Sequence, residues 1–357
     1  MAADSSVAPG VIGVGIVGYG LAGRSFHAPF IEAVDGLRLA AIATTDPDRA
    51  ARAAAEHPTA AVVDGVDAVL SRDDVELVVV ASPNRSHVPV GIRALERGRH
   101  VVVDKPIGMA VPEAESLIEA AARAGRVLSV FQNRRWDGDF LTVQALVNGG
   151  ELGAIDSFET RFERWAPVAD EWRESVEEAG GPHRDLGAHL IDQCLLLFGP
   201  VERVYAQIER RRPGTRVEDS AFVALDHADG VHSRVWTSLI AGRRGPRYRV
   251  RGLAGEYVKE GLDAQEAQLV GGMRPDEAGF GEEPPERWGV LSTGDGASRQ
   301  IPTRTGTYIR FYEGVRDAIR GDGPPPVDPA DSVRGLRVLE AAERSARSGA
   351  VERLSPS

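Results

Sequence analysis

Residues 11–34 read VIGVGIVGYGLAGRSFHAPFIEAV. An apolar, β-branched opening runs into Gly18, Gly20 and Gly23, and a helical pattern follows from about Arg24. G-x-G-x-x-G between a strand and a helix is the pattern of a dinucleotide-binding turn. In that reading Gly18 permits the tight turn, Gly20 lets a pyrophosphate approach the backbone, and Gly23 lets helix and strand pack closely. Tyr19, Leu21 and Ala22 complete the loop, and the helix start offers N–H groups to phosphate. A glycine-rich turn without a ligand would look the same over these six residues, so the surroundings decide.

Four more apolar runs follow: LRLAAIATT (37–45), AAVV (60–63), VELVVVAS (75–82) and HVVVDK (100–105). RVLSVFQN (126–133) makes a sixth strand. Between them lie helical segments such as HVPVGIRALERG (87–98) and VPEAESLIEAAARAG (111–125). Continuous apolar strands alternating with amphipathic helices predict a parallel sheet covered on both faces. Residues 1–133 are therefore expected to form a doubly wound α/β domain of the Rossmann type.

The end of the second strand bears on which dinucleotide fits. An acidic residue there suits the ribose hydroxyls of NAD, whereas hydroxyl side chains with a nearby arginine suit the 2′-phosphate of NADP. Thr44, Thr45 and Asp46 occupy that place, with Arg49 following. Asp46 aimed at the ribose would favour NAD; Asp46 turned away would leave the threonines to NADP, and the expectation leans to NADP.

After residue 133 the period changes. FLTVQALVNGG (140–150) reads as a helix, and IDSFETRFERW (155–165), VERVYAQIERR (201–211), SAFVALDHADGVHSRVWTSL (220–239), RYRVRGL (247–253) and GEYVKEG (255–261) alternate with period two. That alternation predicts a large, mostly antiparallel sheet open on one face. GDGPPPVDPA (321–330) separates two helices, YIRFYEGVRDAIR and DSVRGLRVLEAAERSA, expected to pack back on the body. Residues 134–357 thus read as an α+β domain for substrate binding and oligomerisation. The open face predicts a homodimer or homotetramer.

GGPHRDLGAHLIDQCLLLFGP (180–200) reads as one helix stopped by Gly199 and Pro200. Asp185, His189 and Asp192 at i, i+4 and i+7 would share one face beside an apolar stripe. Asp-x-x-x-His supplies two metal ligands, too few for a resident ion, and no metal is expected. Lys105 ends the fifth parallel strand, where open α/β sheets bind their ligands. Pro106 holds the preceding residue extended and so fixes the lysine's direction, and a cis Lys-Pro bond is a further expectation. Desolvation beside a nicotinamide would suit this lysine to proton transfer.

Composition excludes other classes. A net charge of -11 argues against binding a phosphate backbone, and the arginine-rich ERRRPGTR and AGRRGPRYRVRG read as solvated or subunit-contact surface. No apolar run nears the roughly 20 residues that cross a bilayer. The N-terminus lacks the basic and apolar pattern of a signal peptide, and the one cysteine, Cys194, fits a reducing compartment. A cytoplasmic protein without nucleic-acid or membrane partners is expected.

The set GYGLAG, SPNRSH, DKP, FQNRRWDGDF and DLGAHLIDQ, with GPRYRVRG and GLDAQEAQLVGGMRPDEAGFG further on, resembles the Gfo/Idh/MocA family of sugar and cyclitol oxidoreductases, and within it the NADP-dependent inositol dehydrogenases. The likeness spans nearly the whole chain. It implies that Lys105 hydrogen-bonds the reacting hydroxyl, that His189 handles the proton, and that Asp185 places substrate and histidine. It implies that Ser82, Pro83, Asn84 and His87 lie along the cofactor's ribose and nicotinamide, and that Asn133, Arg134 and Trp136 contact substrate. Asp104 stands where the family's Glu-Lys-Pro motif has glutamate. A nicotinamide-dependent dehydrogenase of a cyclitol or sugar is the expectation; a hexose, sugar acid or nucleotide sugar as substrate, a hydrolase using transient oxidation, and a non-catalytic nicotinamide-binding regulator stay open.

Overall fold

The computed structural model describes residues 10–166, 175, 178 and 180–355. It divides into two compact units. One runs up to Phe131 and takes in Leu269–Ala278 and Tyr308–Ala330; the other comprises Gln132–Gln268, Gly279–Thr307 and the chain from Asp331.

The first unit is built on strands β1 (Ile12–Val17), β2 (Leu37–Ala43), β3 (Ala61–Val63), β4 (Leu77–Val80), β5 (His100–Asp104) and β6 (Leu128–Phe131). They form a parallel six-stranded sheet in the order β3-β2-β1-β4-β5-β6. The order reverses beside β1, which puts the β1 and β4 carboxyl ends at a topological switch point. Every residue of β1 and β4 is buried, as the unbroken apolar runs require of central strands covered on both faces.

Helices α1 (Ala28–Ala33), α2 (Pro47–Glu56), α3 (Gly65–Leu70), α4 (His87–Glu96) and α5 (Val111–Ala124) make the crossovers. The segment after β1 opens as a π-helical turn, Ala22–His27, so the helix begins earlier than Arg24. Much later in the chain, Phe311, Tyr312 and Val315 bury one face of a helix in this unit. Phe311 stacks edge-on against Phe131 at 4.9 Å, and the Ser129 hydroxyl donates to the Val327 carbonyl at 2.9 Å.

The second unit holds α6 (Gly138–Gly149), β7 (Ile155–Glu163), α7 (Pro182–Asp185), α8 (Gly187–Phe198), β8 (Val201–Glu209), β9 (Ser220–His227), β10 (His232–Ser238), β11 (Tyr248–Gly252) and β12 (Gly255–Lys259). After α9 (Gln265–Val270) come β13 (Gly289–Thr293) and β14 (Ser298–Ile301). The helix carrying Phe311 is α10 (Ile309–Arg320); α11 (Pro329–Ser348) and β15 (Glu352–Arg353) close the chain. The nine strands lie in the order β14-β13-β12-β11-β7-β10-β9-β8-β15. Only β7 and β10 pair in parallel; the other pairs are antiparallel. Ala221, Val223 and Leu225 of β9 point into the core while the residues between them are half-buried, so the sheet has one packed and one open face. No helix among the described residues is long and apolar enough to cross a membrane.

Candidate active site

In the first unit the glycine turn is shaped by close approach. Gly18 has φ +100°, and a Cβ there would lie 2.5 Å from the Ala81 carbonyl oxygen at the end of β4. A Cβ on Gly23 would fall 2.1 Å from the Gly18 carbonyl oxygen. Gly20 differs: its Cβ position is open, with Arg49 Nη1 the nearest group at 3.9 Å. A turn closed on two sides and open at its middle glycine fits a dinucleotide pyrophosphate. Leu21 and Ala22 begin the helical turn, and no side chain caps it.

Tyr19 faces inward. Its hydroxyl donates to Glu56 Oε2 at 2.6 Å and lies 2.8 Å from His57 Nε2, while Arg24 holds the same carboxylate through two donors. Burial first, and then Glu56, push the Tyr19 phenol well up, so it stays protonated.

At the end of β2 Asp46 turns its carboxylate to the start of α2. Its Oδ1 accepts the Asp48 and Arg49 N–H groups, both at 3.0 Å, as the N-cap of α2, and Oδ2 lies 3.4 Å from Arg49 Nε. Such a cap contributes about 1 kcal/mol, which turning the carboxylate toward a ribose would forfeit. Thr44 Oγ1 accepts the Asp46 N–H at 3.3 Å, and Thr45 stands between them in the chain.

The loop after β4 is tied together by hydroxyls. Ser82 and Ser86 meet at 2.6 Å, Ser86 donates to the Pro83 carbonyl at 2.6 Å, and Asn84 opens the short 3₁₀ turn that leads into α4. His87, buried at the start of α4, places Nε2 2.9 Å from the Ser82 carbonyl oxygen and Nδ1 2.7 Å from that of Pro106. One imidazole thus spans the loops after β4 and β5. The Lys105–Pro106 bond is cis, as the sequence reading anticipated. Asp104 Oδ1 accepts the Lys105 N–H at 2.8 Å.

In the second unit Asn133, Arg134 and Trp136 share a 3₁₀ turn. Arg134 lies over the Phe162 ring at 4.7 Å and pairs with Asp137 and with Glu266. The Trp136 carbonyl accepts from Gln265 Nε2 at 3.1 Å, which fixes the turn beside α9. Asp185 ends α7, and His189, 6% exposed, lies in α8. The single helix expected over this stretch is in two pieces with Leu186 between them. Asp192, the third residue of the expected polar face, lies in α8 with His189. Both its oxygens are taken by Arg135, at 2.6 and 2.8 Å, and Arg135 also donates to Asp331 at 3.0 Å.

Glu266 is the residue that the sequence reading passed over. Burial pushes its carboxyl up, but Arg134 and Arg164 outweigh that and hold it below the usual range, with Asp185 among the charges opposing them. Asp185, Glu266, Arg134 and Arg164 therefore share one electrostatic neighbourhood. Behind it Asp263, pushed up to about 6 by burial and then by Asp139, accepts the Gly138 and Gln265 N–H groups at 2.8 Å. The signal for Glu266 was the stretch GLDAQEAQL, legible as a pattern but not as a role.

Lys105 also stands out by rarity. The chain has two lysines, Lys105 and Lys259, and every other basic side chain apart from histidine is arginine. Lys259 is fully buried, donating to Glu283 at 3.1 Å and to the Glu260 carbonyl at 2.6 Å.

Residues 12–132 match the model of the oxidoreductase family's NAD-binding Rossmann fold, and residues 144–353 match that of its C-terminal alpha/beta domain, both under the name GFO_IDH_MocA. The chain is 37% identical to the uncharacterized oxidoreductase YdgJ of Escherichia coli, covering 94% of this chain and 96% of that protein. It is 34% identical to scyllo-inositol 2-dehydrogenase (NADP(+)) IolW of Bacillus subtilis, covering 94% of each. The solved structure of the oxidoreductase yvaA from Bacillus subtilis superposes with a TM-score of 0.92 at 33% identity, over 97% of this chain and 99% of that one.

Proposed function

Since the chain belongs to the Gfo/Idh/MocA oxidoreductase family and is a nicotinamide-dependent dehydrogenase acting on CH–OH groups, we propose that its substrate is a neutral cyclitol and its cofactor NADP. The observation that carries the substrate reading is the charge pattern around Asp185. The nearby guanidinium groups of Arg134 and Arg164 are each engaged by Glu266. That neighbourhood offers carboxylate oxygens to hydroxyl groups rather than cations to a sugar acid. The name of the inositol dehydrogenase relative points the same way. NADP is favoured by the capping role of Asp46 and by Arg49 standing beside Gly20 with Thr44 and Thr45 near the end of β2.

Hydride transfer would be the chemistry supplied by a bound nicotinamide. Gly18, Gly20 and Gly23 with Leu21 and Ala22 would hold its phosphates, and Ser82, Pro83, Asn84 and His87 its ribose side. Lys105 donates a hydrogen bond to the reacting oxygen and stabilises the negative charge that grows there as the hydroxyl proton leaves. His189 takes that proton, and Asp185 orients the histidine and the substrate. Asn133, Arg134 and Trp136 shape the substrate contact, with Glu266 as a further hydroxyl acceptor. Ketone reduction runs through the same groups with the proton returned from His189. The open face of the nine-stranded sheet serves a homodimer or homotetramer, and the single cysteine suits work in the cytoplasm.

Nicotinamide absorbance, followed with NAD and NADP in parallel against inositols, aldoses and sugar acids, tests this. NADPH formation with an inositol, at a kcat/KM at least about tenfold above that with a sugar acid, is the expected result. Turnover confined to sugar acids, or to NAD, would refute the finer reading while leaving the family assignment in place.

A further inference from the structure

Lys105 is carried on a turn whose preceding residue is an aspartate, and that aspartate faces a buried histidine from another element. His27, at the end of the π-helical turn after β1, is fully buried. Its ring packs on Phe131 at 4.4 Å and meets Tyr312 edge-on at 6.1 Å. Nδ1 lies 2.6 Å from the Tyr312 hydroxyl, and Nε2 faces Asp104 Oδ2 at 3.8 Å.

The hydrogen positions follow from this arrangement. Burial, with Asp104 adding to it, pushes the Tyr312 phenol well above its ordinary value, so the hydroxyl keeps its hydrogen. His27 Nδ1 is the one hydrogen-bond partner of that hydroxyl among the described residues, so Tyr312 donates and Nδ1 accepts. The ring hydrogen then sits on Nε2 and points at Asp104. On the far side Asp104 Oδ1 takes the Lys105 N–H at 2.8 Å. Tyr312 thus hydrogen-bonds one ring nitrogen of His27, and the other faces, at 3.8 Å and beyond direct hydrogen-bond reach, the carboxylate that anchors the lysine.

We propose that His27 is a positioning residue for the reaction: set by Tyr312, it faces and orients the Asp104 carboxylate, and through Asp104 it fixes the place of Lys105. This rests on Lys105 being the catalytic lysine. It also gives a reason for the shorter carboxylate, since Asp104 stands between the buried His27 ring and the Lys105 N–H. The groups facing Asp104 are His27 from the π-helical turn, Lys105 beside it in the chain, His87 from α4 and Tyr312 from α10. Burial raises the Asp104 carboxyl, and His27, Lys105 and His87 together outweigh burial, leaving it below the usual carboxylate range.

With two lysines in the chain, ¹³C-lysine NMR on the protein alone reads this directly, with Lys259 as internal control. In the wild type the Lys105 Cε shift should show an acid-side inflection as Asp104 titrates, and Asp104→Asn should abolish it. His27→Phe, which keeps the ring shape and removes the donor, should move that inflection up by about one pH unit. The same variant should lower kcat about tenfold with KM and cofactor Kd within about twofold. His27→Gln, which keeps a donor, should recover most of both. An unmoved inflection in His27→Phe, or equal losses in the Phe and Gln variants without a shift, would overturn the proposal. Should His27→Phe fail to fold, Tyr312→Phe decides: a shift in the same direction supports the proposal and an unchanged profile overturns it. Since the NMR readout needs no turnover, an inactive wild type would refute the functional reading and not this one.

Discussion

At Arg49 one guanidinium stands between two claims: Asp46 Oδ2 lies 3.4 Å from Nε, and Nη1 borders the open side of Gly20. Half of this side chain is exposed, so its pairing with Asp46 is weak and easily exchanged for a phosphate. A charge-assisted hydrogen bond to a 2′-phosphate is worth about 1.5–3 kcal/mol, or roughly ten- to a hundredfold in affinity. Arg49→Ala should therefore weaken NADP binding by at least about tenfold and leave NAD binding unchanged, as measured by fluorescence titration of each cofactor. Equal weakening of both, or of neither, would remove the support for NADP. Legibility at this scale was uneven. Lys105 was readable because a lysine ending a buried parallel strand has few other reasons to be there. Asp46 was not, because the same carboxylate can cap a helix or bind a ribose. The Asp48 and Arg49 N–H groups within reach of Oδ1 make the cap visible only in the folded chain.

Among elements, the open face of the nine-stranded sheet carries the clearest consequence. Trp236 of β10 pairs with Phe222 of β9, their rings 5.1 Å apart, and Arg161 of β7 lies over the Trp236 ring at 3.8 Å. These side chains sit on the half-buried side of their strands. An apolar, arginine-capped patch of this kind has the composition of an interface core. Trp236→Glu should convert an assembled protein to smaller species while the packed face keeps it folded, as read by light scattering with circular dichroism. A wild type that is already monomeric at micromolar concentration would contradict the assembly. Strands with strict alternation, such as β9 and β10, could be read from sequence because one face is buried. The break at Leu186 could not, since i, i+4 spacing looks the same in one helix or two. The hairpin β13–β14 was missed because Arg299 and Gln300 leave its second strand with little apolar content.

For the whole molecule, both sheets and their strand types were legible, since burial on two faces or on one writes itself into the period of the sequence. The grouping of Tyr308–Ala330 with the first unit was not, because it depends on Phe311 meeting Phe131 across 180 positions of chain. What that grouping achieves is local to Lys105: α10 brings Tyr312 to His27, and His27 faces Asp104. The chain has just one lysine besides Lys259 with its buried carboxylate partner, and this one ends β5. In the proposed reaction this amine stabilises the reacting oxygen, the role on which the rest depends. Its most direct test is the turnover of Lys105→Ala under saturating substrate, with cofactor Kd measured on the same preparation. The expected result is a fall in kcat of about a thousandfold with cofactor affinity within about twofold of wild type. Turnover equal to the wild type would contradict it.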